Sequence, residues 1–193
     1  MSKKALFLDR DGVICHMVKY PDGFDSPQRV EDVKLVAGIE KVIQLAKNKK
    51  WRVFEISNQP GVAKGKQTQK LSDAIEAKVH ELLGKADVGV DAVYICPHHP
   101  QGAVPELTIE CNCRKPKPGL LLKAAQDFGI DLASSIFYGD KASDVQVSIA
   151  AGCKSMILLH TEDVPEKILE AQNAKADFKV QSHKEACDII GEL

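Results

Sequence analysis

A parallel α/β fold is predicted by three features of the chain. Short apolar runs recur, beginning with Ala5-Leu6-Phe7-Leu8; a run too short for a helix and apolar on both sides suits a strand buried on two faces. Stretches with apolar residues at helical spacing separate these runs, the alternation from which βαβ units are built. Polar residues stand at the carboxyl end of one run after another: Asp9 and Asp11, then Ser57 and Asn58, then Asp140 and Asp144. A parallel sheet collects such strand ends along one edge, where ligands bind.

The first strand covers 5–8, and Gly12 lets the chain turn sharply behind its two carboxylates. A loop at 15–32, rich in Pro, Gly and Asp, leads to a helix at 37–50. That helix carries Ile39, Val42, Ile43, Leu45 and Ala46 on one face, with lysines at the end where the helix dipole favours cations. The second strand, 51–56, closes in turn residues 57–61. A helix at 67–84 runs through Leu71, Ile75, Val79, Leu82 and Leu83, with Thr68 as candidate cap. After a third strand at 91–96, residues 97–119 lack periodicity and hold four prolines between 97 and 116. Loops of that length are usually functional or tied down. The rest reads as a helix at 119–129 ended by Gly129, a strand at 135–139, a helix at 142–151, a strand at 155–159, a helix near 164–174 and a strand at 177–180. Ser182 with Glu185 forms a capping box for the last helix. No repeat or linker divides the chain, so one domain over 1–193 is expected: a Rossmann-like three-layer parallel sheet with helices on both faces.

The 193 residues carry a net charge of −1 without a basic stripe, so a nucleic-acid partner is not expected. No apolar stretch approaches membrane-spanning length, and Asp9-Arg10-Asp11 interrupts the N-terminal run before a signal-peptide core could form. A cytoplasmic protein with no membrane partner is expected. Six cysteines lie at 15, 96, 111, 113, 153 and 187. In a reducing compartment the cluster of three points to a metal rather than a disulfide framework. Cys15, Cys153 and Cys187 read as small core hydrophobes.

Asp9 and Asp11 repel unless a cation or a shared proton lies between them. Mg²⁺ typically uses one or two carboxylates plus phosphate oxygens; the bland alternative is a solvated Asp-x-Asp turn. A calcium loop is excluded, because the further oxygen ligands it needs at alternate positions are missing. Cys113-Arg114-Lys115-Pro116-Lys117 adds a basic knot. Carboxylates for a metal, a hydroxyl and cations for an anion are the parts phosphoryl transfer needs. Cys96, His98, Cys111 and Cys113 form a Cys₃His set suited to Zn²⁺, and a site with four protein ligands is structural. The alternative is buried thiols beside a loop histidine. His99 reads as exposed or adjacent to that metal set. Gly61–Lys66 resembles a P-loop but is one residue short with no following Ser or Thr, and reads as a turn. His16, His80, His160 and His183 show no partner in the sequence.

Phe7-Leu8-Asp9-Arg10-Asp11-Gly12-Val13, Ser57-Asn58-Gln59, Arg114-Lys115-Pro116 and Gly139-Asp140-Lys141 with Asp144 resemble, in order, the four motifs of haloacid-dehalogenase-type phosphatases. The likeness runs from about residue 4 to 159. It is strongest to the branch without a cap domain that includes heptose-bisphosphate and histidinol-phosphate phosphatases. The resemblance implies that Asp9 attacks phosphorus and that Asp11, protonated at the first step, acts as general acid and then base. It implies Mg²⁺ between the Asp9 carboxylate, the Asp11 backbone carbonyl and Asp140, with Asp144 behind them. Ser57 would bond a phosphoryl oxygen, Lys115 would neutralise its charge, and Arg114 would hold a second anionic group. Tyr20, Asn58, Gln59 and Lys141 complete the implied substrate contacts. The 12 residues between His98 and Cys111 match the heptose type, and the zinc would clamp the loop that presents Arg114 and Lys115. In loop 15–20 only Tyr20 matches that type, with Met17 and Lys19 in neighbouring places. The sugar therefore stays open, as do histidinol phosphate and a non-catalytic zinc-stapled module that binds a phosphorylated ligand. An open site for small phosphorylated sugars, on a monomer, is expected.

Overall fold

The computed structural model describes residues 3–21, 23–160 and 165–193. Its centre is strand β1 (Ala5–Leu8), buried along its whole length. A short antiparallel hairpin, β2 (Val18–Tyr20) and β3 (Gly23–Asp25), follows. Next come helix α1 (Ile39–Asn48), strand β4 (Arg52–Asn58), helix α2 (Gln69–Lys85) and strand β5 (Ala92–Cys96). Helix α3 (Gly119–Phe128), strand β6 (Ile136–Gly139), helix α4 (Ala142–Ala151) and strand β7 (Lys154–Leu158) continue the alternation. Helix α5 (Pro165–Asn173), strand β8 (Phe178–Val180) and helix α6 (His183–Glu192) end it. The expected helix near 164–174 is seen from Pro165; residue 164 lies outside the described residues.

The main sheet has six strands in the order β5-β4-β1-β6-β7-β8, and every pairing is parallel. Connections from β1 lead first to one neighbour and later to the other, so the chain reverses direction around β1 and leaves a crevice beyond its carboxyl end. Leu6 and Leu8 point into a core shared with α1, α2 and α6. Ala5 and Phe7 point the other way, into a core with α3 and α4. The alternation of β1 between two cores is why this strand is apolar throughout.

The ends of several elements follow from single residues. Thr68 Oγ1 accepts from Leu71 N at 3.2 Å and starts α2, as expected. Gly129 ends α3 in the left-handed conformation. Ser182 Oγ accepts from Glu185 N at 3.3 Å, but Glu185 reaches back to Gln181 N rather than to the cap, so the expected capping box is only half closed. The hairpin within 15–32 was not legible, because three-residue strands are too short to show a period. Strand β4 runs two residues beyond the expected 51–56 and carries Ser57 and Asn58 as its last residues. Residues 61–66 form a turn. His183, without a visible partner in the sequence, is buried: its Nε2–H donates to Val13 O at 3.0 Å, which leaves Nδ1 to accept from Tyr138 OH at 2.9 Å.

Phe54 lies between Phe7, Tyr94 and Phe128, with ring centroids 5.4, 6.3 and 4.9 Å away. Truncating a fully buried ring leaves a cavity as well as losing transfer energy. Phe54→Ala is therefore expected to lower unfolding free energy by about 3–5 kcal/mol, read from urea titration.

Candidate active site

Asp9 is the first residue past β1, fixed by its N–H to Tyr138 O at 3.0 Å. Its Oδ1 accepts from Arg10 N at 2.8 Å and faces Lys115 Nζ at 2.8 Å. The same ammonium stands 2.8 Å from Asp144 Oδ1 and donates to Ile56 O at 3.3 Å. Asp140 follows β6, and α4 begins just beyond it. Asp144, in the first turn of α4, accepts on Oδ2 from the N–H of Asp140 and of Lys141, at 3.1 and 3.0 Å. Gly12 has a φ of +94°, and a Cβ there would run into the Asp140 carboxylate. Glycine is therefore required where the first motif passes under the fourth.

Asp9, Asp140 and Asp144 are all buried, and a carboxylate oxygen from each lies within 4.8 Å of the others. Burial raises the Asp9 proton affinity, Lys115 opposes that, Asp144 adds to it, and the net shift is upward. Asp140 is pushed up to about 7 by burial and by the neighbouring Asp9 and Asp144, against Lys141. Asp140 Oδ1 is buried with no hydrogen-bond partner. Three crowded acids, one with an oxygen that takes no hydrogen bond, form an oxygen donor set of the kind a hard cation takes. The residues fit a divalent ion of the magnesium type.

Asp11 is arranged differently. Arg10 Nε and Nη2 approach its two oxygens at 3.2 and 3.3 Å, Ser26 Oγ donates to Oδ2 at 2.8 Å, and Gln59 Nε2 donates to Oδ2 at 2.5 Å. Burial works upward, yet Arg10, Lys141 and these hydrogen bonds hold the carboxyl down at about 2. Arg10, its neighbour in the first motif, is folded back onto Asp11 and favours the ionised form. A phosphate group beside Asp11 would oppose those cations and raise its proton affinity.

Other expected site residues divide into two groups. Lys115, Arg114, Lys141 and Asn58 line a cleft of about 390 Å³ together with Asp9, Asp11, Ser26 and Lys64. Lys141 Nζ is 3.9 Å from Asp9 Oδ2 and 3.6 Å from Asp140 Oδ1. Arg114 Nη1 donates to His98 O at 3.1 Å. Asn58, expected on the substrate, instead spends its amide on the Lys115 backbone: Nδ2 donates to Lys115 O at 3.1 Å and Oδ1 accepts from Lys115 N at 3.0 Å. Gln59 is buried against Asp11 and donates to Ser57 Oγ at 2.7 Å. Tyr20 is held within its own loop. Its hydroxyl donates to Asp32 at 2.9 Å and accepts from Gln28 N at 2.9 Å, which ties down the loop after the hairpin. Ser57, at the end of β4, is almost fully buried.

The second cluster lies beside this cleft. Sγ of Cys96, Cys111 and Cys113 and Nδ1 of His98 all fall within 4.8 Å of one another, with neighbouring pairs at 3.2–3.8 Å. A tetrahedron with bonds of about 2.3 Å has edges of roughly 3.8 Å. All six cysteines are free thiols, and His99 accepts from Gln101 N at 3.1 Å outside the cluster.

Comparison with known proteins places these features in a family. A family model described as HAD-hydrolase-like matches residues 112–186. The D-glycero-β-D-manno-heptose-1,7-bisphosphate 7-phosphatase of Escherichia coli K12 is 35% identical over 160 residues, 83% of this chain and 81% of that protein. The chain belongs to the haloacid-dehalogenase-like phosphatases. The D-glycero-α-D-manno-heptose-1,7-bisphosphate 7-phosphatase of Photorhabdus laumondii is 35% identical over 82% of this chain and 83% of its own length. Among solved structures, D,D-heptose 1,7-bisphosphate phosphatase from B. bronchiseptica, complexed with magnesium and phosphate, matches with a TM-score of 0.78. It is 27% identical, with 98% of each chain covered. Among the described residues no helix is long and apolar enough to cross a membrane.

Three residues of this phosphatase went unnoticed in the sequence. Ser26 and Arg10 hold Asp11, and Glu76 accepts from Arg10 Nη1 at 2.8 Å. Arg10 lies inside the first motif and could have been flagged there; Ser26 and Glu76 carry no local signal. His80 faces Glu55, Glu76 and, beyond Glu76, Arg10. Hydrogen bonds donated to the Glu55 and Glu76 carboxylates raise it to about 10, against burial. An unfolded histidine titrates near ~6.5, so this stabilisation is complete below that pH and is lost as pH rises towards about 10. The thermal unfolding midpoint of the wild type should fall more between about pH 7 and about pH 10 than that of His80→Gln.

Proposed function

We propose that the chain is a Mg²⁺-dependent phosphatase of small bisphosphorylated sugars, working as a single domain over 1–193, with D-glycero-D-manno-heptose 1,7-bisphosphate hydrolysed at position 7. The observation that carries the reading is the buried group of Asp9, Asp140 and Asp144 around the Lys115 ammonium, at the crevice beyond β1. The relatives named for this substrate support the choice of sugar, as does the cationic lining of the cleft by Lys64, Arg114 and Lys141. Two relatives are named for different anomers, so both belong in a substrate panel.

Asp9 attacks phosphorus, and the bond to the departing sugar oxygen breaks as Asp11 gives that oxygen a proton. Asp11 then takes a proton from water, which attacks the phosphoryl group on Asp9 and releases inorganic phosphate. Lys115 keeps Asp9 ionised and balances the phosphoryl charge, with Ser57 as a hydrogen-bond donor to it. Arg114 and Lys141 bind the anionic parts of the substrate. The Asp9 carboxylate, the Asp11 backbone carbonyl and Asp140 would hold the magnesium ion, which when bound would supply positive charge against the phosphoryl oxygens. Cys96, His98, Cys111 and Cys113 hold a structural Zn²⁺ that fixes the loop carrying Arg114 and Lys115.

Phosphate release with Mg²⁺ should be fastest from the heptose bisphosphate in a panel with histidinol phosphate and p-nitrophenyl phosphate. Asp9→Asn should abolish release from each while leaving the zinc content unchanged. Release from no substrate would leave a phospho-ligand binding module, and preference for histidinol phosphate would overturn the sugar. Cys111→Ser should lose zinc by elemental analysis and speed amide exchange in 97–119; a wild type without zinc would refute the staple.

A further inference from the structure

Behind the cleft, five ionisable side chains run in line from Asp11 to the middle of β4. Arg10 presents Nε and Nη2 to Asp11 at 3.2 and 3.3 Å and Nη1 to Glu76 Oε2 at 2.8 Å. His80, one turn further along α2, places Nε2 2.8 Å from Glu76 Oε1 and 3.3 Å from Glu55 Oε2. The Arg10 side chain is 2% exposed and Glu55 is fully buried. Burying so many charges forfeits solvation that an apolar packing would not, so the line calls for a task. Glu55, Glu76 and His80 are close enough to share a metal ion, but the Arg10 guanidinium already on Glu76 disfavours a second cation there. A protonated His80 completes the charge pattern instead.

We infer that Glu76 and His80 are positioning residues for Asp11, acting through Arg10. Arg10 has a planar fork, and in the orientation seen its Nε and Nη2 face Asp11 while Nη1 is left for Glu76. Glu76 fixes that orientation from behind by holding Nη1, and His80 fixes Glu76 in turn. The Asp11 carboxyl is thereby held between Arg10 on one side and Ser26 and Gln59 on the other. Without the charge on Glu76 the fork can turn, and Asp11 loses its placement for proton transfer. The inference rests on the proposed role of Asp11 as general acid, and it concerns a step that not every substrate needs. A sugar alkoxide requires a proton as it leaves; nitrophenolate leaves without one. Well-placed general acids contribute roughly 10²–10⁴-fold.

The test measures the first turnover by rapid mixing, which separates phosphoryl transfer to the protein from the later hydrolysis. Wild type, Asp11→Asn, Glu76→Gln and His80→Gln are compared on p-nitrophenyl phosphate and on the best alkyl phosphate of the panel. Glu76→Gln is isosteric, and His80 is partly exposed, its side chain 30% accessible, so His80→Gln serves as the second variant should the first fold poorly. Asp11→Asn should slow transfer from the alkyl phosphate far more than from p-nitrophenyl phosphate. Glu76→Gln should repeat that selectivity, about 10-fold or more on the alkyl phosphate and within about twofold on the aryl one, with His80→Gln weaker in the same sense. Selectivity in Asp11→Asn but equal loss on both substrates, or none, in Glu76→Gln and His80→Gln would overturn the inference. No selectivity in Asp11→Asn would overturn the role of Asp11 itself.

Discussion

The Lys115 ammonium lies 2.8 Å from a carboxylate oxygen of Asp9 and 2.8 Å from one of Asp144, sealed from water over the Phe137 ring at 5.1 Å. Three acids so close and so buried would otherwise hold protons rather than charge, because burial and mutual repulsion both favour the neutral form. Lys115 between Asp9 and Asp144, together with Lys141 at 3.9 Å from Asp9 and 3.6 Å from Asp140, opposes both effects in part. Breaking such a buried pair from one side leaves an uncompensated charge, which is far costlier than losing a surface salt bridge. The pairing of Asp9 with Asp144 therefore depends on delivering Lys115 to the point between them.

Much of the surrounding architecture serves that delivery. Lys115 comes from the long segment after β5, which has no regular ladder to hold it. Asn58, at the end of β4, grips the Lys115 backbone from both its N–H and its carbonyl. The Cys96–Cys113 cluster gathers the two ends of the segment immediately before Arg114 and Lys115. Ala103 and Val104 donate to Ala63 O and moor the middle of the loop to the turn after β4. The parallel sheet supplies the rest: Asp9, Ser57 and Asp140 are strand-end residues of three adjacent strands, and the reversal at β1 leaves them facing one crevice.

The fold class was legible because buried parallel strands are apolar runs and the helices between them carry a clear stripe. Asp9, Asp140 and Lys115 could be found because each lies in a motif whose neighbours are contiguous in sequence. The hairpin within 15–32 was not legible, and neither were the tasks of Tyr20, Asn58 and Gln59. A motif assigns a residue to a neighbourhood, while the partner that takes its polar atoms comes from elsewhere in the chain. Asp32 and Gln28 take the Tyr20 hydroxyl, and the Lys115 peptide takes the Asn58 amide. Arg10 shows the same limit in electrostatics: its charge on Asp11 depends on a side-chain orientation set by Glu76, 66 residues away.

The central claim is that the Lys115-centred cluster holds Asp9 ionised so that it can bond directly to phosphorus. Acid quenching of the protein during turnover with substrate and Mg²⁺, followed by peptide mapping, tests it most directly. The account predicts an acyl phosphate on the Asp9 side chain, present in wild type and absent once substrate is exhausted. A phosphoryl group on any other side chain would contradict it.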